Sequence, residues 1–138
     1  MMAEKKIKEI YSCDYNKTKG DILVDWYNSV IEKTEAELTI FDVCRCFRQN
    51  MFIESAVVVL LSYLQNDVFA GDVYEGEGIE ILSGLDDKYI TPYINIIDEI
   101  IIKAGNDSSD HEWLCQEDKK EFDEYIKQLS EKISRMKE

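Results

Sequence analysis

The sequence predicts an all-α fold, a single-domain bundle of about six helices around a central apolar helix at residues 52–65. Three observations predict it. Apolar residues recur at helical spacing in nearly every segment. One segment, FIESAVVVLLSYLQND, is apolar on all sides, as a helix enclosed by others must be. The 138 residues make one ordinary domain, 1–138, with no room for two. A chain of this size buries roughly two-thirds of its unfolded surface, so one conventional core suffices. Hydrophobic residues at 45% and aromatics at 11% suit a globular protein and exclude a disordered one.

From Thr18 to Lys33, Leu23, Trp26, Tyr27 and Val30 share one face, and Thr18 and Asp21 have the spacing of a capping box with a shortened acid. LTIFDVCRCFRQN repeats that spacing at Thr39 and Asp42, with Ile40, Val43, Cys44 and Phe47 as its apolar stripe. Arg45 and Arg48 fall off the stripe and suit structural pairing with acids or carbonyls. After the central helix, Ile79, Ile81, Leu82 and Leu85 predict a short helix stopped by Gly84. KYITPYINIIDEIIIKAGN then predicts one longer helix, with Pro92 in its first turn and Gly105 and Asn106 as its stop. Its isoleucines favour strands by type, but Ile90, Tyr93, Ile94, Ile97, Ile100 and Ile101 keep helical period. NDSSDHEW reads as a polar loop. The last segment, from about Gln116 to Met136, places Phe122, Tyr125, Ile126, Leu129, Ile133 and Met136 on one stripe opposite its charges.

Charge narrows the function. A net of −13 repels nucleic acid and anionic membranes and attracts basic partners at long range. Residues 1–69 carry 8 bases and 11 acids, whereas residues 70–138 carry 8 bases and 18 acids. Within 72–99, eight acids face Lys88 alone. Cys13, Cys44, Cys46 and Cys115 have no metal or secreted-scaffold spacing and read as buried or half-buried free thiols. Cys44 and Cys46, two apart on a helix, point to nearly opposite faces. His111, the one histidine, reads as a solvated loop residue without a nucleophile to serve. The amino-terminal MMAEKKIKEIYSCDY has no apolar signal region, and AVVVLLSYL falls short of the ~20 residues of a membrane span. A cytoplasmic protein is expected, with no catalytic residues, metal, cofactor or small-molecule substrate.

The segment FAGDVYEGEGIEILSGL, residues 69–85, holds four of the six glycines and four acids. It lacks the G-K-[ST] ending of a phosphate loop, follows a helix, and would hold phosphate against carboxylates. The calcium-loop pattern is absent as well. Gly71, Gly76 and Gly78 suit a tight turn between helices, and the acids suit the positive N-terminus of the next one. A patch of one sign beside such a turn is a candidate docking surface for a basic protein.

In order, L-T-I-F-D-V, R-C-F-R-Q, S-A-V-V-V-L-L-S-Y-L and N-D-V-F-A-G-D-V-Y-E-G-E-G-I resemble the immunity proteins of bacterial contact-dependent growth inhibition systems. The resemblance covers roughly residues 37–102, with Gln49, Asn66, Asp67, Gly71, Tyr74, Gly76 and Glu77 on the family's pattern. Val68 stands where proline is usual, and Gly78 and Ile79 replace paired leucines. The resemblance implies a cytosolic protein that binds the toxic C-terminal domain of an exported effector, often a nuclease. A nuclease site is basic, which agrees with the acidic charge. The expected toxin-binding set is Asp72, Tyr74, Glu75, Glu77, Glu80, Asp86 and Asp87, with Tyr74 and Tyr89 as aromatic anchors. An acidic adaptor or nucleic-acid mimic that inhibits a basic host protein, and a small metal-dependent enzyme, are the alternatives.

Overall fold

A computed structural model describes residues 2–138, and they form an all-α bundle. Its helices are α1 (Ile7–Ile10), α2 (Ile22–Val30), α3 (Ile40–Arg48), α4 (Ile53–Asn66), α5 (Glu77–Ser83), α6 (Asp87–Ile90), α7 (Ile94–Asp110) and α8 (Gln116–Met136). The chain divides into two compact units, Met1–Val59 and Leu60–Glu138. The border falls inside α4, the predicted apolar helix. Its Ile53, Ala56, Val57 and Val59 belong to the first unit, and its Leu60, Leu61 and Leu64 to the second; all are buried.

In the first unit, α2 begins later than the Thr18 spacing predicts. Asp21 is itself the N-cap, accepting from the Leu23 and Val24 amides at 2.8 and 3.2 Å. A carboxylate on those orphan donors outcompetes a hydroxyl three residues upstream. Trp26 and Val30 are buried, but Leu23, expected on the same face, is exposed near the start of the helix. The second box forms as its spacing predicts: the Thr39 hydroxyl accepts from the Asp42 amide, and Asp42 accepts from the Thr39 amide, both at 3.0 Å. Cys46 is buried beside Val43 and Cys44, so both cysteines turn inward. The Arg45 guanidinium lies 4.6 Å from the Phe41 ring centroid and 5.6 Å from that of Trp26. α3 stops at Asn50, whose left-handed φ of 52° this residue type tolerates better than most. α1 is tied to the chain after α2 by amides of Ile7 and Lys8 donating to Lys33 and Ile31 carbonyls.

In the second unit, α8 packs along α5 and α7. Its predicted stripe holds, with Phe122, Leu129 and Ile133 buried. Two features of α7 depart from the sequence reading. Pro92 sits in a 3-10 turn, Thr91–Tyr93, that separates α6 from α7, because its missing N–H and ring cannot continue a helical ladder. At the other end α7 runs through Gly105 and Asn106 to Asp110. Burial explains this: Ala104 and Ser108 continue the inward face of Ile97 and Ile100. The Ser108 hydroxyl donates to Asp123 on α8 at 2.6 Å, and the Trp113 indole closes the end by donating to the Ser108 carbonyl. Gly84 ends α5 in a right-handed conformation, and Lys132 of α8 donates to the carbonyls of Ser83 and Leu85. Cys44 and Cys46 are buried and Cys13 is half-buried, but Cys115 is exposed, unlike the expected half-burial.

An acidic groove with aromatic walls

The glycine-rich turn is built from its own backbone. Gly76 has φ 87°, and a Cβ there would stand 2.6 Å from the Phe122 ring. Only glycine gives both the left-handed turn and the close approach to α8. The Gly76 amide donates to Phe69 and the Gly78 amide to Ala70, each at 2.9 Å, which closes the turn onto the start of α5.

That construction separates the predicted binding acids. Glu77 turns inward and is 8% exposed. One of its carboxylate oxygens accepts from the Asp72 and Val73 amides at 2.8 and 2.9 Å, so it organises the turn. Asp72 and Tyr74 are exposed on the turn. Asp86 and Asp87 are exposed at the start of α6, and Tyr89 lies under the Lys88 ammonium there. Tyr74, Glu75 and Glu80, by contrast, line one side of a groove of about 530 Å³. The other side comes from the segment after α7 and from α8: Trp113, Leu114, Asp118, Glu121, Phe122 and Tyr125.

The groove is acidic without an internal neutraliser of the lysine or arginine type. Its lining carries Glu75, Glu80, Asp118 and Glu121 and no lysine or arginine. Nearby cations are engaged elsewhere, Lys119 with Asp123 at 2.7 Å and Lys132 with the Ser83 and Leu85 carbonyls. Burial, reinforced by the Glu80 carboxylate and then Glu121, raises the Tyr125 hydroxyl above its ordinary pKa. Leu114 stands fully exposed at the groove.

Beneath the groove is a cluster that the sequence does not announce. His111 is half-buried and stacked on Phe69, with ring centroids 4.1 Å apart, and meets Trp113 edge-on at 4.7 Å. Its Nε2 lies 2.9 Å from a Glu75 carboxylate oxygen, although the contact lacks hydrogen-bond geometry. The histidine is therefore part of the turn's support and not the solvated loop residue its neighbours suggest. Trp113, Leu114 and the first turns of α8 were also missed as site residues. The one signal in the sequence was a Trp-Leu pair inside an otherwise polar stretch.

Burial, then the Asp42 charge, pushes the Cys46 thiol up to about 12, so it stays protonated at neutral pH. Among the described residues, no group of three His, Cys, Asp or Glu side chains could hold a metal ion. Among them also, no helix is long and apolar enough to cross a membrane.

The fold and groove together are those of an acidic all-α bundle with an aromatic, carboxylate-lined groove. The model of one family, CDI immunity proteins, matches residues 9–100, and the chain belongs to that family. Its members are immunity proteins of contact-dependent growth inhibition, whose business is toxin neutralisation. No curated protein sequence matches the chain. Trp113, Leu114, Asp118, Glu121, Phe122 and Tyr125 lie beyond the matched residues, so the family segment supplies only the turn side of the groove.

Proposed function

We propose that this protein neutralises a basic toxin domain, in the cytoplasm of the target cell, by covering its active site without chemical change to it. The observation that carries the reading is the groove of about 530 Å³ whose charged lining is all carboxylate, in a member of an immunity family. A nuclease active site must attract a polyanion and is therefore positively charged, so an acidic surface is its natural complement. A lining that mixes tyrosine and tryptophan with acids matches the usual composition of a protein interface, in which aromatic residues anchor and charges orient. Asp72, Asp86 and Asp87 extend the same field outside the groove and contribute to steering, while Glu77 holds the turn.

The test is titration against the toxin domain encoded immediately upstream, at low and at high salt, with the toxin's activity followed in parallel. Nanomolar binding that weakens as salt rises, with one-to-one loss of activity, is the expected result. Absence of binding at both salts overturns the reading for that pair.

A further inference from the structure

We propose that the groove is a socket for one arginine side chain of the toxin domain. The inference rests on the immunity reading above and adds the chemistry of the group received. Three features of the groove converge on a guanidinium. Its walls are the rings of Tyr74, Trp113 and Tyr125, and planar cations stack on such rings. Carboxylates stand on both sides, Glu75 and Glu80 from the turn and α5, Glu121 from α8. A guanidinium has donors in a planar fork that can reach two carboxylates at once, which an ammonium on a flexible stem does less well. No lysine or arginine lines the groove to compete for it, and His111 approaches Glu75 alone, leaving Glu80 and Glu121 as the facing pair. The first unit shows the ring contact of this recognition made internally, with the Arg45 guanidinium 4.6 Å from the Phe41 centroid and 5.6 Å from that of Trp26.

The site carries its own reporter, because Trp113 is in its wall. Titrating the protein with N-acetylarginine amide while following tryptophan fluorescence should give a saturable change that Trp113→Phe abolishes. N-acetylcitrulline amide, which keeps the shape and loses the charge, should bind roughly fivefold or more weakly, the usual difference between a charge-assisted and a neutral hydrogen bond. The lysine analogue should fall between them. Glu80→Gln combined with Glu121→Gln, which keeps side-chain size on the surface, should weaken the arginine amide and the toxin domain together. A toxin domain that binds tightly while arginine amide gives no saturable change, or binds no better than citrulline amide, overturns the socket and leaves the immunity reading standing. A toxin domain that does not bind at all removes the reading and the proposed occupant with it.

Discussion

Two regions of this protein treat their carboxylates in opposite ways. In the first unit, Asp42 is buried and surrounded by donors: Trp26 Nε1 at 3.0 Å, Lys33 Nζ at 2.7 Å and the Thr39 amide at 3.0 Å. Burial alone would raise its pKa, but those donors together hold it below the usual carboxylate range. In the second unit, Glu80 and Glu121 stand in a groove whose lining holds no lysine or arginine. An acid whose every neighbour is a donor stabilises a fold; on the reading proposed above, acids grouped with other acids serve a partner outside the chain. The glycine turn draws the same line over three residues, since Glu77 binds backbone amides while Glu80 faces the groove.

The largest effect expected from breaking this contrast is at Asp42. Asp42→Ala leaves a buried indole N–H and a part-buried ammonium without their acceptor, and should cost about 3 kcal/mol in denaturant unfolding. Acid sharpens the same point. Because the folded pKa of Asp42 is depressed, its contribution is present above the unfolded value of about 3.9 and is lost as pH falls through the lower folded one. Unfolding followed below pH 4 should show a loss of stability that is smaller in Asp42→Asn.

Gly76→Ala comes next, at about 2 kcal/mol, from a left-handed φ and a Cβ driven into the Phe122 ring. It should also weaken toxin binding, since both sides of the groove meet at that contact. Glu77→Ala should cost about 1–2 kcal/mol by stripping the acceptor from two amides of the turn. Glu121→Gln should change stability by no more than about 0.5 kcal/mol, as an exposed surface position does, and act on association alone.

The contrast also marks what the sequence could disclose. The Thr39–Asp42 box is local, so its spacing was enough to predict it. The long α8 stripe was equally plain, because one face of a helix buried along its length leaves a full periodic record. Pro92 breaks the ladder more sharply than its spacing implies, and α7 runs past Gly105 because Ser108 gains a partner, Asp123, fifteen residues away. The groove was half legible. Glycines and acids at 69–85 exposed the turn, but Glu77 looked like Glu80 until backbone amides claimed it. Trp113, Glu121 and Tyr125 enter the site only when α8 folds back along α5, which no local pattern encodes.

The most direct measurement compares wild type with the triple variant Glu75→Gln, Glu80→Gln, Glu121→Gln for association rate with the toxin domain across a range of salt, and for melting temperature. The account predicts a melting temperature close to wild type, an association rate lower by about tenfold at low salt, and a flattened salt dependence. An unchanged rate and salt slope would contradict it and place the toxin-binding surface away from the groove.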